Sequence, residues 1–152
     1  SSSAASDVYK RQVVSPELVE QAAAAGARFI ISPDVNVDVI RRTRELGLAS
    51  LPGAMTPTEI MTAHRAGASF VKLFPIADLG SKYVKAVRAP ISHVKLLAVG
   101  GVNENNLKEF FAAGCVGAGI GGNLVNKAWI DAGEYSKITE TARMLVEIAK
   151  ES

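Results

Sequence analysis

The stretch "TPTEIMTAHRAGASFVKLFPI", residues 56 to 76, encodes a helix, its stop and a strand in direct succession. Thr56 and Glu59, three positions apart, form a capping box, and Gly67 supplies the left-handed residue on which helices end. The segment that follows is short, apolar and rich in aromatic and β-branched residues, so it reads as a buried strand. Lys72 alone breaks that run, in a place where a charge is expensive. Side chains alternate along a strand, so Phe70, Lys72 and Phe74 share one face while Val71 and Leu73 share the other.

The same unit recurs on both sides. "SPELVEQAAAAGA" has Ser15 as cap, Pro16 at the first helical position and Gly26 past the end, and "RFIISP" follows as a strand. "NVDVIRRTRELG" is capped by Asn36, places Val39, Ile40 and Leu46 on one face, and stops at Gly47 before "LASLPGA". Further on, "SKYVKAVRA" leads to "HVKLLAVGGV", and "NENNLKEFFAAG" leads to "CVGAGIGG" before a last helix, "YSKITETARMLVEIAK". Gly26, Gly47 and Gly67 lie about 20 residues apart and Gly114 about two periods beyond, so one αβ unit is repeated. Helices alternating with short apolar strands predict an α/β fold of five parallel strands, either doubly wound or part of a (β/α)8 barrel.

Composition narrows the function classes. The 152 residues are 48% hydrophobic and 21% charged, which suits one ordinary globular domain. With 17 basic and 15 acidic residues spread along the chain, the sequence has neither a nucleic-acid face nor a polybasic membrane segment. No apolar run approaches the roughly 20 residues that span a bilayer, and there is no secretory h-region, so a cytoplasmic setting is expected. Cys115, the single cysteine, excludes an intramolecular disulfide, and the separation of His64 from His93 argues against a metal-ligand pair. Residues 1–12, "SSSAASDVYKRQ", lack any hydrophobic period and read as a tag, scar or adapter-derived segment, with the domain running from 13 to 152.

"GAGIGG", residues 117 to 122, satisfies the dinucleotide spacing, but that fingerprint belongs early in a βαβ unit with an acidic residue behind it, and only one helix remains here. A better use is suggested by "VGG" (99–101) and "IGGN" (120–123), which close the last two strands where phosphate-binding barrels hold an anion. The plainer alternative is a pair of tight βα turns.

Lys72, facing inward near the C-terminal rim of such a barrel and desolvated by phenylalanines, would hold a neutral amine able to form an imine with a carbonyl substrate. Its alternatives are to snorkel to solvent or to pair with a carboxylate. Lys95, at the start of its strand, reads as exposed. Cys115 reads as a small buried side chain, Arg41, Arg42 and Arg44 as the solvated face of a helix, and Trp129 as packing or a subunit contact.

"ARFIISPDVN", "LPGAMTPTEI", "GASFVKLFPIADLG", "LLAVGGVNENN" and "GIGGNLV" together resemble, in order and spacing, the 2-keto-3-deoxy-6-phosphogluconate (KDPG) / 4-hydroxy-2-oxoglutarate (KHG) aldolase family. The resemblance covers nearly everything from Ser15 onward. It implies a metal-free class I aldolase on a (β/α)8 barrel, a homotrimer, that splits a 2-keto-4-hydroxy acid into pyruvate and an aldehyde. Lys72 matches the Schiff-base lysine, Pro33 a proline beside bound pyruvate, and Gly100, Gly101 and Gly122 positions around the substrate phosphate.

The chain departs from the family pattern at Val99, where threonine is common, and at Gly122, where serine is frequent. Family members also begin with three strands ahead of "SPELVEQAAAAGA", the second bearing a general-base glutamate. The five strands here match strands four to eight. The expectation is therefore an incomplete barrel, poorly active by itself. The rival readings are a non-catalytic pyruvate- or phosphate-binding fragment and another phosphate-binding barrel enzyme such as an epimerase.

Overall fold

The computed structural model describes residues 13–152, so the expected tag segment, 1–12, lies outside the described residues. Helices and parallel strands alternate in the order α1 (Pro16–Ala24), β1 (Phe29–Ile31), α2 (Val37–Glu45), β2 (Ala49–Leu51), β3 (Gly53–Ala54), α3 (Pro57–Arg65), β4 (Val71–Leu73), α4 (Gly80–Arg88), β5 (Leu96–Val99), α5 (Leu107–Ala112), β6 (Gly117–Gly119), α6 (Lys127–Asp131) and α7 (Tyr135–Lys150). The predicted α/β class holds, with β2 and β3 forming two halves of one predicted strand. Among the described residues no helix is long and apolar enough to cross a membrane.

The described chain forms two compact units. The first comprises residues 13–74 and 93–95. Here the helix signals act as local chemistry requires. Ser15 accepts from the Leu18 amide, Asn36 from those of Asp38 and Val39, and Thr56 and Glu59 complete the capping box, so amides that a helix start leaves unpaired are satisfied. Gly26, Gly47 and Gly67 take positive φ values of 88°, 73° and 102°, as residues that end these helices in the left-handed region must. Val19 and Ala22 of α1 and Val39 of α2 bury against Ile30 of β1, with Val13 sealing the cluster while its amide donates to the Ile31 carbonyl.

The face of α2 differs from expectation. Leu46 caps the helix and is 36% exposed, because the helix has already ended at Glu45; Thr43 is buried instead. Its hydroxyl donates to the Val39 carbonyl at 2.7 Å, which removes the penalty of burying it.

Strand register in this unit is continuous through a proline. Phe29, Ile30 and Ile31 pair with Ala49, Ser50 and Leu51, and Gly53 and Ala54 pair with Lys72 and Leu73. Pro52 has no amide to give, yet its carbonyl accepts from the Lys72 amide at 2.8 Å. Residues 49–54 thus run as one extended segment between β1 and β4. On the far side of β4, the Val71 amide donates to the Lys95 carbonyl.

The second unit comprises residues 75–92 and 96–152. β5 and β6 pair in parallel, Leu97 opposite Gly117 and Val99 opposite Gly119. A Cβ on Gly117 would lie 2.9 Å from Leu97 Cδ2, and one on Gly119 3.0 Å from Val99 Cγ2. The first two glycines of "GAGIGG" therefore make room for β5 side chains, and packing accounts for them without a dinucleotide. α7 lies along α5, and an apolar cleft of about 310 Å³ remains between them, lined by Phe111, Ile120, Leu124, Leu145 and Val146 among others. The five-residue α6, capped by Asn126 on the amides of Ala128 and Trp129, was not expected from the sequence.

Candidate active site

Lys72 occupies the middle of β4 and is 4% exposed; its neighbours Val71 and Leu73, on the opposite face, are 1% and 0% exposed. All three β4 residues are thus buried, and Lys72 does not snorkel to solvent. Its Nζ lies 5.0 Å from the centre of the Phe74 ring. Phe70, two positions before Lys72, carries the exposed Lys95 over its ring, with Nζ 5.7 Å from the centre. Burial holds the Lys72 ammonium below its ordinary range, since a charge taken from water is disfavoured; the charge of Asp34 opposes this. The amine is thereby moved toward the neutral form that nucleophilic chemistry needs.

Pro33 lies just past β1, and the structure brings it to the same place. A Cβ on Gly53 would overlap the Pro33 carbonyl oxygen, lying 2.6 Å from its carbonyl carbon and 3.2 Å from Lys72 Cε. Only a glycine lets the outlet of β1 close onto β3 while the lysine side chain passes beside it. The sequence reading missed Gly53 as a site residue, although "LPGA" was visible as a strand interrupted by Pro-Gly, the usual mark of close backbone approach. It also missed Asp34.

The glycines of the second unit divide into two kinds. Gly100 and Gly101 have φ values of 90° and 76°, and a Cβ on Gly101 would sit 2.5 Å from that of Ala77. The Ile76 and Ala77 amides donate to the Val99 and Gly100 carbonyls, so this pair makes the tight turn of the plainer reading. Gly121 and Gly122 have ordinary φ values and open space where a Cβ would stand. Nothing in the local packing demands glycine there. Asn123 fixes this loop by donating to the Val102 carbonyl at 3.0 Å.

Other titratable groups have structural work. Glu59 is held below the usual carboxylate range by the Thr56 and Met55 amides and the Thr56 hydroxyl. Cys115 is buried and its thiol is pushed up to about 11, so it is inert at neutral pH. Asp78, just past the lysine strand, is exposed. His64 and His93, distant in sequence, are neighbours in space with ring centroids 5.0 Å apart, contrary to what their separation suggested. Their rings meet edge to face, at an interplanar angle of 73°. Arg42, on the polar face of α2, bridges Glu20 and Glu45 at 2.9 and 3.0 Å.

Comparison with known proteins places these features in a family. Residues 8–141 match the family described as KDPG and KHG aldolase. The chain is 42% identical over 113 residues to a 2-dehydro-3-deoxy-6-phosphogalactonate aldolase of Escherichia coli (strain K12), an alignment taking in 74% of this chain and 55% of that one. A solved structure described as native KDPGal superposes with a TM-score of 0.85 at 35% identity, covering 92% of this chain and 66% of that one. A KDPG aldolase from Legionella pneumophila, described as holding pyruvate captured at low pH as a covalent carbinolamine intermediate, gives a TM-score of 0.75 at 28% identity over 90% of this chain and 66% of that one. The chain spans between about half and two-thirds of the length of the curated relatives it matches.

Proposed function

The chain belongs to the KDPG and KHG aldolase family, and from that membership we propose that its chemistry is Schiff-base cleavage of a 2-keto-4-hydroxy acid to pyruvate and an aldehyde, with Lys72 as the imine-forming residue. The observation that carries this is the burial of Lys72 in mid-strand, beside the Pro33 backbone, with its ammonium disfavoured by desolvation. The carbinolamine trapped in the Legionella relative supports the same sequence of steps here.

The neutral Lys72 amine adds to the ketone carbon, and loss of water from the carbinolamine with uptake of one proton, returned at the final hydrolysis, gives a protonated Schiff base. That cation draws the electrons of the carbon–carbon bond beyond it as the 4-hydroxyl proton leaves, releasing the aldehyde. The remaining enamine takes a proton on carbon, and water returns the free amine and pyruvate. Pro33 would lie against the three-carbon portion, and Gly100, Gly101 and Gly122 would serve the phosphate of a phosphorylated substrate. The loop of Gly121 and Gly122 is the best supported of these, because local packing does not account for its glycines. The base for the 4-hydroxyl is not assigned to a described residue, since the Glu59 carboxylate is committed to its cap.

The resemblance and the balanced charge support a cytoplasmic homotrimer acting on a small keto acid, with no nucleic-acid or membrane partner. Imine chemistry supplies its own electron sink and calls for no metal cofactor. The test is borohydride reduction in the presence of pyruvate followed by peptide mass mapping. A reduced pyruvate adduct on Lys72 is expected; an adduct on Lys95, or none, would remove the Schiff-base assignment.

A further inference from the structure

We propose that Asp34 is the counter-charge of the Lys72 nitrogen, a positioning residue that stabilises the protonated Schiff base over the neutral imine. The proposal rests on the aldolase reading for its chemical meaning and on geometry for its residue. The Pro33 carbonyl carbon and Lys72 Cε lie 2.6 and 3.2 Å from the same point above Gly53, so they are within about 6 Å of each other. Asp34 Cα is one peptide unit further, which brings it within about 8 Å of Cε, a distance a carboxylate side chain can shorten.

Asp34 is itself exposed, and its charge acts on Lys72 in the direction that favours the cation. The neighbours of β4 within the same unit are of a different kind. The facing positions of β3 are Gly53 and Ala54. The segment 93–95 carries His93, which contacts His64, and Lys95, which contacts Phe70. Phe74 adds an aromatic face but no charge.

A carboxylate in this position has opposite effects on two steps. It slows the first, because it keeps more of the free amine protonated. It assists the next, because the iminium carries its positive charge on the same nitrogen and is an electron sink only while protonated. Desolvation by burial and attraction by Asp34 therefore act as a matched pair: the first supplies the nucleophile and the second preserves the cation it becomes.

The experiment is competitive acylation of Lys72 across pH, read by mass spectrometry on the substrate-free protein, alongside borohydride trapping with pyruvate. Asp34→Asn should move the Lys72 labelling profile down by about 0.5 to 1 pH unit, and Asp34→Glu should restore most of it. High salt should shift the unsubstituted protein toward the Asn variant, since an exposed charge is screened. Pyruvate-dependent trapping by the Asn variant should begin faster at pH 7 yet fall off at lower pH on its alkaline side, where the iminium loses its proton sooner. Superimposable labelling profiles for the unsubstituted protein and Asp34→Asn, or equal shifts for the Asn and Glu variants, would overturn the proposal. A labelling shift as expected with no pyruvate adduct in any variant would support the Asp34–Lys72 pairing and sink the aldolase reading.

Discussion

Gly53 stands opposite Lys72 in the parallel register of β3 and β4, and the space its missing side chain leaves is shared by the Pro33 carbonyl and the lysine Cε. A methyl group there meets backbone on one side, which cannot yield cheaply, and a flexible side chain on the other. Gly53→Ala should therefore destabilise the fold by about 1–3 kcal/mol through overpacking and displace Lys72. Urea unfolding would measure the first effect. The second predicts a loss of pyruvate trapping in the fraction that remains folded, and full trapping in a folded Gly53→Ala protein would show that the position does not govern the lysine.

Lys72 itself should be a stability liability. Its folded-state pKa lies below the unfolded one, so the unfolded chain holds the proton across the interval between them and stability rises with pH through that interval. Below it the lysine is charged in both states and the full cost of burial is present. Lys72→Met should then abolish trapping while raising the unfolding free energy at pH 7 by about 0.5–2 kcal/mol, a gain that fades toward pH 10.5. A Met variant less stable than the parent at pH 7 would contradict the desolvation argument.

What the sequence disclosed follows from the range of the interactions involved. Ser15, Asn36 and Thr56 cap their own helices, and Gly26, Gly47 and Gly67 end them, so signals of a few residues sufficed. The strand at Val71–Leu73 was legible because a short apolar run after a helix stop is a local signal. Register between strands is not local. The capture of Phe70 by Lys95, the meeting of His64 with His93, and the convergence of Pro33, Gly53 and Lys72 all depend on which residues stand opposite one another in separate segments. Asp34 escaped notice for the same reason. α6 was a different omission, since the Asn126 cap was readable and only the helix's shortness hid it.

Cys115 gives an alkaline signature. Its folded thiol titrates at about 11 against an ordinary 9.0, chiefly through burial, with Arg88 pulling the other way. A raised folded pKa contributes stability that is whole below pH 9 and is lost as pH climbs toward 11. Denaturant midpoints should fall over that window in the parent and fall less in Cys115→Ala, whatever the constant penalty of the smaller side chain. A maleimide should label Cys115 at pH 7.5 only after unfolding. Rapid labelling of the native protein would place the thiol in a more open site than the one described.

The two glycine pairs make the sharpest contrast, because they look alike in sequence and differ in what holds them. Gly101 needs its positive φ and its contact with Ala77, so any substitution there strains the turn and would affect all substrates alike. Gly122 has neither requirement. Its substitutions should be nearly silent in stability, within about 0.5 kcal/mol, and should act on substrate alone. A bulky chain crowds the backbone that would meet phosphate oxygens, so Gly122→Val should raise KM for a phosphorylated keto acid several-fold while leaving 4-hydroxy-2-oxoglutarate almost unchanged. A serine adds a hydroxyl donor at the same point, and a hydrogen bond to a charged group contributes about 1.5–3 kcal/mol, part of which solvent exposure removes. Gly122→Ser should accordingly lower KM for the phosphorylated substrate, by about threefold or more. Opposite signs for valine and serine, confined to the phosphorylated substrate, would support an anion site in this loop. Parallel changes for both substrates would reduce Gly121 and Gly122 to a simple connection between β6 and α6.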